Sequence, residues 1–411
     1  MPEGVASKAI PRSSWSPWRR LQATVLATAT SEGLLLAALP LIAVSLTKDP
    51  RAVSLVNVAG KAPWLLLSLF AGLLIDRTRR TTALALACAL QVGAALLLGL
   101  ATAGSWLTLP LLMVVAFVIA SSQVLGDGAG SALVPSLLPP DRFIAANARL
   151  QVIGRGAVQF VVPPLTGLLL ALTPGLPAWT ACAGALAGLA LTRTIPSAAT
   201  GTRGGRPLRE IAEGLLALVS APLLRSITIT VALGSFASSA ASAVLVLYAT
   251  EILLLGPVGY GLLLACLAAG WLASSFVADR LVARFGAPRS MRAAQSITAA
   301  VPLLIAIAPP WPALVGALLA ASSAATLIWN VCSQSIRQCF TPPPLLGRVL
   351  TSHRALAWGL TPLGALTGGL IAAAWSLRTV WLATAALQAL TALIVWRTLS
   401  PKAFAAAEDR P

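Results

Sequence analysis

The chain has few charged side chains and very few acidic ones. Only 10% of its 411 residues are charged and only 12 residues are Asp or Glu, whereas 57% are hydrophobic. Soluble domains average about 25% charged and about 45–50% apolar residues. A water-soluble protein with so little charged surface would aggregate. The composition therefore excludes an ordinary soluble enzyme and indicates a protein that lies largely in a membrane.

Residues that build catalytic and metal centres are also scarce. His353 is the single histidine and falls in a basic loop of the sequence, and the five cysteines lie in or beside apolar stretches without metal-ligand spacing. Neither a catalytic triad nor a disulfide framework can be assembled from them. No Gly-x-x-x-x-Gly-Lys-Ser/Thr loop occurs, so ATP is not the direct energy source. We expect no catalytic residue, no metal and no cofactor.

What the sequence does have is a series of apolar stretches of membrane-spanning length, separated by short polar breaks. A spanning helix uses about 20 residues, so twelve would need about 240, close to the apolar share of the chain. The sequence predicts an all-α membrane protein with twelve transmembrane helices. The predicted spans are 21–46, 53–75, 83–103, 107–133, 150–172, 176–192, 227–249, 259–278, 293–308, 312–336, 355–375 and 379–396.

The net charge of +17 follows this topology. By these boundaries, 24 of the 29 Lys and Arg residues fall in the two termini and the loops after spans 2, 4, 6, 8 and 10. An excess of Lys and Arg in short loops marks the cytoplasmic side. We expect a multi-pass protein of the cell membrane, bacterial, with both termini in the cytoplasm. A nucleic-acid surface would instead gather charge and aromatic residues on one face, so no nucleic-acid partner is expected.

The chain repeats itself about a polar stretch in its middle. Asp76-Arg77 and Asp279-Arg280 lie 203 positions apart, and so do the proline pairs at 139–140 and 342–343. Parallel six-helix repeats related by an axis along the membrane normal are typical of secondary transporters. The predicted units are a cytoplasmic N-terminus at 1–20, a six-helix half at 21–192, a cytoplasmic linker with an amphipathic helix at 193–226, a second half at 227–396 and a cytoplasmic C-terminus at 397–411.

Three segments resemble a known transporter family. The loop after span 2 reads Gly72-Leu-Leu-Ile-Asp76-Arg77, followed by further arginines that include Arg80. Residues 38–50 and the long segment 337–369 match the same family over its first and its tenth-to-eleventh spans. The chain resembles a major facilitator superfamily (MFS) transporter over essentially its whole length. Within that superfamily it resembles the branch of the enterobactin exporter and macrolide-efflux proteins.

The resemblance implies transport by alternating access between the halves, outward and coupled to protons. It also implies a charge network that holds the cytoplasmic side closed, formed by Asp76, Arg80 and Asp127 beside Gly72, with Arg77 contacting the other half. The expected partners are a small organic substrate such as a drug, natural product or siderophore, protons, and the lipid bilayer. We expect a monomer. A lipid or lysophospholipid flippase of the same fold is an alternative, and a membrane-embedded enzyme is a remote one.

Ionisable side chains within spans are costly and therefore point to function. Glu32 lies 11 residues into span 1, about 16 Å deep. A carboxyl group there can change protonation near physiological pH, as a proton-coupled antiporter requires. It could alternatively contact a cationic substrate or pair with Lys61. Lys61 in span 2 could bind an anionic substrate, neutralise Glu32, or extend towards the interface.

Further polar and aromatic residues in the spans are candidates for the substrate cavity. Arg155 could bind substrate anions or balance Asp127. Trp358 could line the cavity or pack between spans. The other polar candidates are Gln159, Asn330 and Gln334.

Overall fold

The computed structural model describes residues 12–67, 78–139, 142–143, 146, 149–150, 152–156, 161–196, 216, 218–341 and 346–399. Over these ranges the structure is helical, with short turns between helices. The helices are α1 Arg12–Leu46, α2 Pro50–Leu66, α3 Arg80–Ala103, α4 Leu109–Leu137, α5 Val162–Leu172, α6 Leu176–Thr192, α7 Pro222–Leu247, α8 Pro257–Phe285, α9 Ala287–Ile307, α10 Pro312–Cys339, α11 Leu346–Gly359, α12 Thr361–Ala374 and α13 Leu377–Thr398. Two π-helical turns, Val152–Gly156 and Tyr248–Ile252, precede α5 and follow α7.

Proline and local caps define where many helices begin. Pro50 opens α2, and the side chain of the preceding Asp49 accepts a hydrogen bond from the Arg51 amide at 2.9 Å. Ser376 caps α13 in the same way, accepting from the Thr379 amide at 3.1 Å. Proline suits the first helical turn because its missing N–H would have no partner there. These short breaks turn the chain back on itself and make consecutive helices antiparallel.

The helix ends form two faces of opposite character. One face, which we call the basic face, contains the start of α1, the start of α3 and the ends of α6, α8 and α13, with Arg20, Arg80, Arg193, Arg284 and Arg397. The opposite, charge-poor face contains the turns 47–49, 104–108, 173–175, 253–256, 308–311 and 375–376. The uneven distribution of basic residues predicted from the sequence is thus present on the folded chain.

Several elements run past the predicted ends of the spans. Helix α1 begins at Arg12, and α8 continues to Phe285 through Asp279 and Arg280, which the sequence had placed in a loop. Arginine is a good helix former, so these helices continue through their charged residues. A prediction from hydropathy detects only the apolar part of each helix and therefore ends too early. Helix α8 ends at Gly286, whose φ of 79° favours glycine.

Span 11 consists of two helices. Helix α11 ends at Gly359 and α12 begins at Thr361, just before Pro362. Pro362 has no backbone N–H to donate to the Trp358 carbonyl, so the intrahelical hydrogen bonds are interrupted at this point, although Leu360 between the two helices keeps a helical backbone with φ −83° and ψ −9°. Because α11 already begins at Leu346, His353 lies inside a helix and is buried, whereas the sequence had placed it in a basic loop.

Within the described ranges, nine helices are long and apolar enough to cross a membrane, and α5 and α6 are shorter apolar helices.

The packing of the helices follows a pattern that is repeated in the two parts of the chain. The pairs α1–α6, α3–α6, α3–α4 and α2–α4 recur as α7–α13, α9–α13, α9–α10 and α8–α10. Gln91 on α3 and Gln295 on α9, 204 positions apart, are buried polar residues at equivalent places. Each donates to a neighbouring helix, to the Thr28 carbonyl and to Gln388.

The two sets of helices meet along α2–α12 and α5–α8, near the charge-poor face. Glycine permits the close approach. A Cβ on Gly167 would lie 2.6 Å from the Pro257 carbonyl oxygen, and one on Gly261 would lie 2.6 Å from that of Pro163. At the other contact, a Cβ on Gly369 would collide with Ser54. We call these contacts the glycine seam.

Candidate functional site

Polar side chains from three helices meet at one depth near the middle of the bundle. Glu32 on α1, Trp64 on α2 and Gln123 on α4 each lie 14 residues from the end of their helix at the charge-poor face. At 1.5 Å per residue this is about 21 Å from that end. The sequence predicted Glu32 at mid-depth, and the structure places two unpredicted partners beside it.

These side chains form a hydrogen-bonded chain. The Gln123 Nε2 group donates to Glu32 Oε1, and the indole Nε1 of Trp64 donates to Gln123 Oε1 at 3.1 Å. The Trp64 ring in turn contacts the Trp358 ring, with centroids 5.2 Å apart and planes inclined at 38°. Trp358 belongs to α11, in the second set of helices. A continuous set of contacts therefore links Glu32 to the other half of the bundle.

Lys61 forms a second link between the halves, one helical turn from Trp64. Its ammonium donates to Ser239 Oγ on α7 at 2.6 Å, and Ser239 donates to the Thr361 carbonyl at the start of α12, also at 2.6 Å. Nearer the charge-poor face, Asn57 donates to the Ala243 carbonyl at 3.4 Å. Lys61, one of the predicted cavity residues, thus lies at the interface between the halves.

Of the predicted gating residues, Gly72, Asp76 and Arg77 lie outside the described residues. Arg80 donates to the Ala132 carbonyl of α4 at 2.5 Å, which ties α3 to α4 near the basic face. Asp127 is exposed on α4. The two described members of the predicted network therefore belong to a pair of packed helices.

The remaining predicted cavity residues are in different situations. Trp358 is 41% exposed although it contacts Trp64. Asn330 and Gln334 are exposed on α10. The backbone of Arg155 lies in the π turn Val152–Gly156, and its side chain is outside the described part of the chain, as is Gln159.

Two features of the structure were missed by sequence reasoning. Gln123 and Trp64 are uncharged, so nothing in their spans distinguishes them from packing residues, and only the hydrogen-bonded chain that ends on Glu32 identifies them. His353 Nδ1 lies 3.0 Å from the Thr228 hydroxyl of α7, in a buried contact. Across the described ranges, no three His, Cys, Asp or Glu side chains are grouped so that they could hold a metal ion.

The described helices form two similarly packed sets that meet along the glycine seam, with a polar cluster at mid-depth in the first set. Solved structures share this architecture over nearly the whole chain. A bacterial homologue of the iron transporter ferroportin in its inward-facing state is 17% identical, covers 94% of this chain and 99% of its own, and has a TM-score of 0.73. In its outward-facing state the TM-score is 0.59, with 18% identity and coverage of 93% and 98%.

A bacterial homologue of the human lysosomal transporter Spinster, inward-facing and unoccupied, has a TM-score of 0.72 at 13% identity and covers 98% of this chain and all of its own. The fold is therefore the MFS fold, and the nine candidate spans and two shorter apolar helices of the described residues are consistent with the twelve predicted spans. At the sequence level, residues 13–410 match the family MFS_3, described as transmembrane secretion effectors. The chain belongs to this family of MFS transporters.

A curated relative agrees with this assignment. An uncharacterised MFS-type transporter of Sinorhizobium fredii, y4rN, is 25% identical over 347 residues, which cover 81% of this chain and 83% of the relative. The family and the structural neighbours are transporters, and the chain is a multi-pass membrane protein.

Proposed function

We propose that the protein is a proton-coupled exporter of small organic molecules, of the enterobactin-exporter and macrolide-efflux type. The observation that carries the proposal is the place of Glu32. It lies at mid-depth and its hydrogen-bonded chain reaches the opposite half through Trp64 and Trp358. A carboxyl group so placed can exchange a proton and influence how the halves meet. The family description as a secretion effector supports outward transport.

The position of the contacts between the halves supports an inward-facing state of the alternating-access cycle. The glycine seam closes the halves near the charge-poor face, and the distribution of arginines supports an orientation with this face outside the cell. Among the described residues, Trp64–Trp358 and Leu65–Gly359 are inter-half contacts at mid-depth, farther from that face than the seam. A cavity that opens towards the basic face would receive substrate from the cytoplasm, as an exporter requires. Both termini would then be cytoplasmic, and we propose a monomer as the working unit.

The substrate would bind between the halves near Lys61, with the exposed side chains of Trp358, Asn330 and Gln334 as further contacts. Arg155 and Gln159 remain candidates from the sequence. The gate on the basic face would be the network of Gly72, Asp76, Arg77, Arg80 and Asp127. Its described part, the tie between Arg80 and α4, is compatible with that role.

Glu32→Gln tests the proposal. A panel of toxic compounds and siderophores is first screened for reduced accumulation in cells that express the protein. The transported compound is then followed in everted vesicles under an imposed pH gradient. We expect Glu32→Gln to abolish pH-driven accumulation while membrane expression is unchanged. Glu251→Gln, which alters an exposed carboxyl at the charge-poor face, is the matched control and should transport normally.

Full pH-driven transport by Glu32→Gln would contradict proton coupling at this site. A lipid flippase would instead move labelled phospholipids in reconstituted vesicles and would leave the accumulation of the compounds unchanged.

A further inference from the structure

The indole of Trp64 fixes how the Gln123 side chain is turned. An indole N–H can only donate, so the Gln123 atom that lies 3.1 Å from it must be the amide oxygen. The amide NH2 group is then left to donate to Glu32, and an ionised carboxylate can only accept. Each side chain therefore donates to the next one, from Trp64 through Gln123 to Glu32. An ionised Glu32 is the final acceptor.

Protonation of Glu32 weakens this chain at its end. A hydrogen bond to a charged acceptor is about twice as strong as one between neutral groups. The protonated carboxyl also becomes a donor, for which the amide oxygen of Gln123 is an acceptor. If the amide turns to accept it, its NH2 group faces the Trp64 indole, and two donors oppose each other. Trp64 then loses the partner that holds its ring.

The Trp64 ring is one of the contacts that join the halves. It lies against Trp358 with centroids 5.2 Å apart, and an aromatic pair adds about 0.5–1.5 kcal/mol beyond its buried area. A change in the position of Trp64 therefore alters a contact at the interface between the halves, although Glu32 itself lies within the first half.

We propose that Gln123 and Trp64 are positioning residues that transmit the protonation state of Glu32 to the Trp64–Trp358 contact. Ionised Glu32 stabilises the arrangement closed at the charge-poor face, and protonated Glu32 releases it. The inference rests on the proposed role of Glu32 as the proton site. It goes further by naming the neutral side chains that couple the proton to the movement of the halves.

Other ionisable groups also lie on the helices packed against α1. At similar depth these are Lys61 on α2, Asp127 on α4 and Arg155 in the π turn, with a thiol at Cys88 on α3, whereas the thiol of Cys182 on α6 lies nearer the charge-poor face. The described parts of α5 and α7 add only Arg225, at the basic face. Lys61 donates to Ser239 across the interface. Of these groups, Glu32 is the one that Gln123 joins to Trp64.

The test follows the distance between the halves as a function of pH, without any substrate. Spin labels are placed at the exposed positions Thr108→Cys and Ala313→Cys, on opposite halves of the charge-poor face, in a chain whose own cysteines are replaced by alanine. In lipid nanodiscs, lowering the pH from 8 to 5 should shift the population towards longer distances. We expect a change of about fivefold in the ratio of long to short distances, as for a charged hydrogen bond that becomes a neutral one.

Four variants separate the outcomes. Glu32→Gln, Gln123→Met and Trp64→Phe should each flatten the pH response, the last because it keeps an aromatic ring and loses only the N–H donor. Trp358→Phe keeps the ring contact and should respond as the unaltered chain does. A normal response in Trp64→Phe together with a flat one in Glu32→Gln overturns the relay and leaves proton coupling intact. A flat response in Trp358→Phe together with a normal one in Gln123→Met means that ring packing, and not the hydrogen-bonded chain, transmits the signal, which also overturns the relay.

A normal response in Glu32→Gln, or no response in the unaltered chain, overturns the relay together with the proposed role of Glu32. Circular dichroism and the elution volume of each variant identify any that fails to fold. For such a position, Gln123→Leu or Trp64→Leu, both without a hydrogen-bond donor, takes its place in the series.

Discussion

Lys61 is an ammonium group at the interface of two helical halves, and its hydrogen-bond partner is a hydroxyl group. An ammonium in a low-dielectric environment costs several kcal/mol unless polar partners offset the loss of water. Ser239 supplies one such partner and passes the bond on to the Thr361 carbonyl. The link between the halves therefore depends on one small side chain of α7. The Lys61 ammonium could donate to an anion in place of this hydroxyl group.

Ser239→Ala should destabilise the protein by about 1–3 kcal/mol, because it leaves a buried ammonium without its acceptor. Ser242→Ala, an exposed position on the same helix, is the control and should be neutral within about 0.5 kcal/mol. Thermal unfolding of both variants in detergent measures the difference. Equal melting temperatures would mean that Lys61 does not depend on Ser239.

At this scale the sequence predicts charged residues better than neutral ones. Glu32 and Lys61 stand out because charge is rare inside spans, and both were found at mid-depth or at the interface. Gln123 and Trp64 could not be selected, since their importance comes from contacts with residues far away in the chain. His353 was assigned to a loop because the basic residues around it hide the helix to which it belongs.

Helices meet across the glycine seam at distances that leave no room for a side chain. Gly167→Ala would place a Cβ 2.6 Å from the Pro257 carbonyl, so α5 and α8 must separate. Gly93→Ala is the control, because its Cβ would meet nothing within 4 Å. We expect the Gly167 variant to favour the state that is open at the charge-poor face.

The measurement is the labelling of Ser54→Cys, a buried seam position, by a membrane-impermeant maleimide. The rate should rise about tenfold with Gly167→Ala and stay unchanged with Gly93→Ala, which corresponds to about 1.4 kcal/mol between the two states. Equal rates in the two glycine variants would show that the seam tolerates the added methyl group.

Within the described residues, the predicted spans coincide with helices wherever apolar residues continue to the end of the helix, and parts of spans 53–75 and 150–172 lie outside those residues. The misses lie at the ends: α1 begins at Arg12, α8 includes Asp279 and Arg280, and α11 begins at Leu346. Hydropathy detects the part of a helix that prefers lipid. Polar turns that continue the same helix beyond the apolar core give no such signal.

At the scale of the whole molecule, most of the basic residues that the structure describes lie on one face, and this makes the orientation in the membrane testable. Thr108→Cys at the charge-poor face should react with an impermeant maleimide in intact cells. Arg289→Cys at the basic face should react only after the cells are permeabilised. The opposite pattern would invert the proposed orientation and, with it, the direction in which the cavity opens.

The fold could be predicted from the sequence because a membrane permits few architectures. Every backbone group must be paired inside lipid, so length, hydropathy and the 203-residue repeat were enough to indicate two six-helix halves. The state of the transporter could not be predicted in this way. Conformations of one protein can differ by only a few kcal/mol, and we propose that small contacts such as Trp64–Trp358 decide among them in this chain.

The glycine seam is made of backbone carbonyls, glycine, proline and serine, all of them uncharged. Attraction between charges weakens as ionic strength rises, whereas contact between neutral surfaces does not. Closure at this face should therefore be indifferent to the ionic strength of the solution that bathes it. With the proposed orientation, the outer entrance of this transporter would stay equally tight when the medium outside the cell changes from fresh to saline.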